Sequence, residues 1–445
     1  MGFFKRFSSK VDLQKAAAEQ AATVPAPEPA EVLPPPDIFD GENAVVCHVR
    51  SSWEWVLEEV RKDMTNLEVV EKEADLPTGL LAAANGNESA STTPVSRRGR
   101  RKKIPGPCSL RLEVKNSSGD IIEAVHGTSE AFDGLEDKDE LFRTMQRCRC
   151  ENLELSPPSR LINWDVTKEE CMNLVGESLP SLLGNKNKEK VAVLKEPMGS
   201  SGTGVFFVSN AHEIHEIIEE HRKRAQNEPD FLDNLIAAKG RIPSWVLQAE
   251  IVPCLLIRGR RKFHIRTYVA CIERIDHDEI LQTYVYNRHE IRVAGESVPL
   301  DETDSRDRMA HITNGAHSNR TERDLLDKEP ELENRKLQEK IELFVAQIFD
   351  QHLVNDIVRR VSMSIADDAT ARKFVLGGLD LMVTDDNRLY LLEVNVNPAA
   401  PGRDSVNEDF HKHLCGLMGD LMALVAGRSS SNFVPCGKIL ARKPQ

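Results

Sequence analysis

Two rhythms of apolar residues organise most of this chain, a two-residue alternation and a 3.6-residue stripe, and some stretches carry neither. Residues 11 to 40, dominated by Ala, Glu and Pro, have no apolar period, so residues 1–40 are expected to form a disordered leader. From Asn43 the pattern changes. Residues 44–49 predict a strand and 51–67 a helix with Trp53, Trp55, Val56 and Val60 as its apolar positions. Residues 109–126 predict a hairpin turning at 116–119. Short strands are predicted at 191–194 and 205–208. Asn210 then starts a helix, with Glu213 placed as in a capping box and Ile214, Ile217 and Ile218 facing inward. Further strands are predicted at 245–248, 263–272, 279–286, 379–383 and 389–394, and Leu337, Ile341, Phe344, Val345 and Ile348 have helical spacing. Strands and helices mix without a regular repeat, which favours α+β over a doubly wound sheet. The expected divisions are a leader at 1–40, an N-terminal domain at 41–150 with a disordered basic insertion near 85–107, a main domain at 151–427 and a flexible tail at 428–445.

Charge and composition narrow the possibilities. Among 445 residues, 58 Lys and Arg face 71 Asp and Glu, a net charge of -13, so a generally basic nucleic-acid binder is not expected. Six basic residues crowd 97–103 (RRGRRKK), read as a nuclear signal, a docking arm for an acidic partner, or a solvated loop. No run of 18 apolar residues is long enough to span a membrane, and the first ten residues lack the apolar core of a signal peptide. Met1-Gly2 resembles an acylation site, but Arg6 stands where Ser or Thr is wanted. Nine cysteines, an odd number, are read as reduced thiols in the cytosol, and Cys148-x-Cys150 has no second pair to complete a zinc site.

Three segments carry candidate chemistry. Lys195 to Gly204 (KEPMGSSGTG) lies between two predicted strands. Its glycines, Gly202 and Gly204 among them, let backbone amides approach a phosphate that Lys195 would neutralise. The order is wrong for a Walker loop, and a plain glycine-rich turn explains it equally. In RRKFHIRTYV, strand alternation puts Lys262, His264 and Arg266 on one face, where they need an anion or open solvent. Arg288 and Arg292 follow nearby. In GGLDLMVTDDNRLYLLEVNVNP, a turn centred on Asp386-Asn387 pairs 385 with 388 and sets Asp380 opposite Glu393, with Asn395 on the same face. Two carboxylates and an amide oxygen suit magnesium, and a self-satisfied polar network is the alternative. A one-residue slip would break this pairing.

KFHIRTYV, HITN and GLDLMVTDDNRLYLLEVNVNPA, in this order, resemble the tubulin–tyrosine ligase family of ATP-grasp enzymes over roughly residues 157–425. The resemblance implies an α+β ATP-grasp fold holding ATP between two subdomains, and ATP-dependent ligation of an amino acid to a protein carboxylate, typically on tubulin tails. It implies nucleotide-binding roles for Lys168, Lys195, Gly202, Gly204, the hinge residues Gln248, Glu250 and Ile251, and Lys262 and His264. It implies that Arg266 and Arg292 face the γ-phosphate, that Thr313 and Asn314 of HITN stand beside the active site, and that Asp380, Glu393 and Asn395 hold Mg2+. The partners implied are ATP, a free amino acid (glutamate, glycine or tyrosine) and an acidic protein acceptor, tubulin first. The place implied is the cytoplasm, at the cytoskeleton or a cilium. In the implied reaction a carboxylate attacks the γ-phosphate, and an amine then attacks the acyl phosphate. Arg258, Arg260 and Arg261 are available to attract an acidic acceptor. The acidic segment 321–342 opposes one, and the hinge Gln248-Ala-Glu-Ile lacks the family's usual basic and aromatic residues. Ligation on another protein or a small carboxylate is one alternative. A non-catalytic cytoskeletal binder is another. The sequence has no H-R-D or D-F-G kinase motif.

Overall fold

The computed structural model describes residues 45–49, 53–63, 67–70, 110–115, 121–126, 135, 137–147, 155–173, 192–197, 204–227, 242–274, 277–298, 308–313, 321–349, 372–396, 398–425, 427 and 429–440. The leader at 1–40, the basic run at 97–103, Cys148 and Cys150, Gly202 and Asn314 lie outside the described residues.

Strand β1 (Val45–Val49), helix α1 (Glu54–Asp63) and strand β2 (Leu67–Val70) open the described chain. β3 (Leu110–Lys115) and β4 (Ile121–His126) pair antiparallel as the expected hairpin, with Lys115 opposite Ile121. Helix α2 (Lys138–Arg147) follows. A four-stranded antiparallel sheet comes next, formed by β5 (Ser159–Ile162), β6 (Ala192–Lys195), β7 (Val205–Val208) and β8 (Trp245–Ala249) in the order β5-β8-β6-β7. Helix α3 (Ala211–Asn227) packs on it through Ile214 and Ile218, beside Trp245 and Leu194. The Asn210 side chain accepts from the Glu213 amide at 3.0 Å, and the Glu213 carboxylate accepts from the Ser209 amide at 2.9 Å, a capping box reaching one residue further back than expected.

The rest builds a larger sheet. Its parts are β9 (Leu256–Ile257), β10 (Arg261–Arg274), β11 (His277–Tyr286), β12 (Glu290–Ser297), the short helix α4 (Arg308–His311), β13 (Glu322–Leu325), helix α5 (Leu337–Ile348), β14 (Arg372–Val383), β15 (Leu389–Val396), helix α6 (Glu408–Val425) and β16 (Phe433–Leu440). Twelve strands among the described residues join it, along the path β13-β12-β10-β14-β4-β3-β1-β2, with β15 on β14, β11 and β9 on β10, and β16 on β11. Most pairs are antiparallel, while β1–β2 and β4–β14 are parallel. The fold is α+β, as the mixed pattern indicated.

Strand alternation explains how this sheet is covered. On β10, Phe263, Ile265, Val269 and Cys271 face one core, completed by the five spaced apolar residues of α5. Tyr268, Ala270 and Ile272 face a second core made with α1 and α6, where Trp53, Val56 and Leu57 meet Phe410, Leu414 and Leu417. Lys262, His264 and Arg266 continue this second face past the end of the apolar cover.

Two expected divisions change. The segment 428–445 is not simply a flexible tail: Phe433–Leu440 pairs along β11, and Phe433 is buried. Pro435 and Gly437 obscured the strand in the sequence, and the register shift between Thr283 and Tyr284 falls where they pair. Strands from both sides of residue 150 also share one sheet, since β4 pairs with β14.

Candidate active site

The β14–β15 hairpin places the acidic residues, by a route different from the expected one. Val383 pairs with Leu389, and the Thr384 amide donates to the Arg388 carbonyl at 3.0 Å. The loop therefore holds three residues, Asp385, Asp386 and Asn387, with Asn387 at φ 63°, the left-handed position such loops require. The expected 385–388 pair does not form. A bulge between Asp380 and Leu381 then shifts the register by one, so that Asp380 does face Glu393. The bulge also settles which way Glu393 points. Leu389 and Leu391 lie in the apolar core, and unbroken alternation would have sent Glu393 there too. Instead Leu392 and Glu393 line the cleft.

That cleft lies between the two sheets and encloses about 150 Å3. The small sheet contributes Lys195, Val205, Phe207 and Gln248, and the large sheet Lys262, His264, Asp380, Met382 and Glu393. Glu250 and Ile251, in the connection between the sheets, complete one wall. Eight expected site residues thus meet in one place: Lys195, Gln248, Glu250, Ile251, Lys262, His264, Asp380 and Glu393. The cationic face of β10 is no solvated surface, because Lys262 is 6% exposed and His264 and Arg266 are 3% exposed.

Lys262, His264 and Arg266 each have a partner that explains their burial. Lys262 donates to Glu250 at 2.6 Å and lies 2.7 Å from His311 Nδ1. Burial pushes the Glu250 carboxyl up, but the His311 hydrogen bond and the Lys262 charge outweigh it and hold the carboxyl below its usual value. His264 bonds Thr313 through Nδ1. Arg266 grips Asp380 with two parallel bonds, the Nη2 bond 2.9 Å long. Burial alone would raise the Asp380 carboxyl, yet Arg266 and His264 keep it well below the carboxylate range. Gly378 makes room for this, since a Cβ there would stand 3.0 Å from Arg266 and 3.1 Å from Pro398. Lys195 is half-buried, and loss of solvation draws its ammonium down to about 8 against the pull of Glu393, with Lys138 adding to the shift. Gly204, at φ 69°, closes the loop after Lys195 by accepting from the Glu196 amide at 2.7 Å, and a Cβ there would collide with the Glu196 side chain.

The donor set fits a hard cation. The Glu393 side chain has no hydrogen bond among the described residues, and Asn395 spends its Nδ2 on Asp380 at 3.2 Å, leaving Oδ1 open. One Asp, one Glu and one amide oxygen are ligands suited to magnesium. Among the described residues no group of three His, Cys, Asp or Glu is arranged for a metal.

Other expected residues lie elsewhere. Lys168 is exposed on the first turn of a helix at 168–173, where Thr167 and Glu170 cap each other, and it does not line the cleft. Lys138, at the start of α2, does line it, close enough to affect Lys195. Lys138 and His311 were not among the expected site residues; both stand on short helices whose placement depends on distant packing. Arg292 is buried one strand from Arg266, against Glu290 at 3.2 Å. Arg258 and Arg261 are not free to attract an acidic acceptor. Arg258 bonds Glu322, Asp324 and Glu329 at 2.6 to 2.7 Å, and Arg261 bonds Glu322 at 2.5 Å. Part of the acidic segment is therefore neutralised within the fold.

Residues 138–418 match the tubulin-tyrosine ligase family, more than half of the chain, and begin with the cleft residue Lys138. The chain belongs to this family. It is 24% identical over 265 residues to the probable tubulin–tyrosine ligase PBY1 of Saccharomyces cerevisiae, covering 53% of this chain and 32% of that protein. The chain thus spans about a third of the length of this curated relative. Among the described residues no helix is long and apolar enough to cross a membrane.

Proposed function

We propose that the chain is an ATP-dependent carboxylate–amine ligase that adds an amino acid to a protein carboxylate, with ATP held between the two sheets as in ATP-grasp enzymes. The observation that carries this reading is the meeting of Lys195 and Gln248 from one sheet with Lys262, Asp380 and Glu393 from the other in a single cleft. Lys195, in the cleft, and Arg266, beside Asp380, would neutralise phosphate charge, which loss of solvation strengthens. Arg292, one strand further, faces the transferred phosphoryl group. Asp380, Glu393 and Asn395 would hold Mg2+, which supplies charge stabilisation on the phosphates when bound. The substrate carboxylate attacks the γ-phosphate and ADP leaves. An amine then displaces phosphate from the acyl phosphate, giving an amide. The chain's own groups position the charged reactants and exclude water. Tubulin is the first candidate acceptor, with glutamate, glycine or tyrosine as the added amino acid.

The test is incorporation of labelled glutamate, glycine and tyrosine into purified tubulin with magnesium and ATP, wild type against Glu393→Gln. We expect one amino acid to be incorporated and the variant to fall by at least about a hundredfold, with its fold intact. Wild-type turnover in Glu393→Gln would remove the magnesium assignment. Failure to bind magnesium–ATP would overturn the ligase reading. One observation favours a second acceptor class: Arg258 and Arg261 are spent on internal acids, so the surface most suited to steering an acidic tail is already neutralised. ATP turnover with a non-tubulin protein and none with tubulin would establish it.

A further inference from the structure

The row of cations on the cleft side of the large sheet continues past Arg292. In β13 the order Glu322-Arg323-Asp324 alternates, so the two acids fall on one face and Arg323 on the other. The acids reach Arg258 and Arg261. Arg323 stands directly opposite Arg292 across the β12–β13 pair, and Arg292 stands directly opposite His264 across β10–β12. Directly opposed like charges on neighbouring strands destabilise a sheet unless something neutralises them.

Little in the described fold does so. Glu290 is the carboxylate set among them, and it is already shared: it accepts from Tyr268 at 2.7 Å and from Arg292 at 3.2 Å, and His413 lies 3.6 Å away. Arg292 keeps a buried Nε without a partner. The Arg323 side chain is half-buried and makes no hydrogen bond or ion pair among the described residues. Burial and the charge of Arg292 both depress its pKa, the sign expected of a cation short of counter-charge. Along the row, Arg266 has Asp380, Arg292 has Glu290, and Arg323 has no acid of its own.

We propose that Arg323, beside Arg292 on the sheet face that also carries His264 and Arg266, forms a carboxylate-binding site away from the Glu393 and Asn395 oxygens. The inference rests on the ligase reading, and it assigns a place to the second anion which that reaction requires. Strands lie about 5 Å apart, so Arg323 on β13 is about 15 Å across the sheet from Asp380 on β14. The acidic end suits a cation and its phosphates, and the surplus guanidinium suits a carboxylate, whose planar oxygens match its fork. The carboxylate comes from the free amino acid or from an acidic side chain of the acceptor.

Calorimetry on the full chain, loaded with magnesium and a non-hydrolysable ATP analogue, separates these sources. One arm titrates glutamate, glycine and tyrosine. The other titrates a glutamate-rich peptide with blocked termini, which offers only side-chain carboxylates. Arg323→Gln should weaken one arm at least about tenfold and change nucleotide affinity less than about twofold, the loss expected for one charged hydrogen-bonding partner. Arg323→Lys should recover part of the loss, keeping charge without the fork. A loss in the amino-acid arm assigns the free amino acid, and a loss in the peptide arm assigns the acceptor. Unchanged binding in both arms, or wild-type chain that binds neither probe, overturns the site. So does a tenfold loss of nucleotide affinity, which would make Arg323 a phosphate ligand. If the wild type takes no nucleotide, the ligase reading fails, and the same two titrations without nucleotide decide the carboxylate site. Melting temperatures of the Gln and Lys variants no lower than that of the wild type exclude a folding defect.

Discussion

Two clusters of arginines and acids share strands β10, β12 and β13 or their flanks. At the surface, Arg258 and Arg261 meet Glu322, Asp324 and Glu329, and the Arg258 side chain alone holds three carboxylates. A few residues inward, Arg266, Arg292 and Arg323 stand with only Asp380 and Glu290. The surface cluster is saturated and partly solvated. The inner one is mostly buried and short of a carboxylate. Partly exposed pairs hold β13 against the turn before β10 at small energy per pair, whereas a buried excess of cations is costly and makes sense where a bound anion removes the cost. The first cluster therefore reads as structure and the second as a site.

The comparison can be broken most forcefully at Arg266. Arg266→Met leaves the buried Asp380 without its fork and should cost about 3–5 kcal/mol in urea unfolding. Adding Asp380→Leu should recover most of that stability while activity stays lost. If the single variant melts like wild type, Asp380 is not held as described.

Next comes Glu290, whose folded carboxyl lies at about 2: burial pushes it up, but His413, 3.6 Å away, and the Arg292 charge outweigh burial. Its folded value is below its unfolded one, so its contribution is complete above the unfolded pKa of about 4.3 and is lost as pH falls towards about 2. Glu290→Gln should be clearly destabilised at pH 7, and its gap to wild type should close over that acid window in parallel denaturation curves. A gap independent of pH would show that the charge of Glu290 is not what matters.

The smallest effect belongs to the surface cluster. Arg258→Ala should cost about 1–2 kcal/mol, less at 1 M salt, and leave nucleotide affinity unchanged, because exposed pairs contribute little each and are screened. A loss of nucleotide binding would mean that the two clusters are not separable.

Much of the fold was legible because period-two and helical spacing report burial directly. The five apolar residues of α5 and the alternation of β10 lie as the sequence indicated. The strand at Phe433–Leu440 was hidden, since Pro435 and Gly437 break the local pattern and only pairing with β11 stabilises it. The pairing of Asp380 with Glu393 was anticipated from a turn that does not form. A longer loop and a bulge shift the register in compensating senses, and no local rule foretells the bulge.

The sequence alone determined which side chains share a strand face, because alternation is covalent geometry: Lys262 with His264 and Arg266, and Glu322 with Asp324 but not Arg323. Tertiary structure decided which of those faces meet. It brought Lys138 and His311 to the cleft and left Lys168 outside. It also spent Arg258 and Arg261 on internal acids and set Arg323 beside Arg292. Whether a charge is neutralised depends on neighbours far apart in the chain, which only strand order and register bring together.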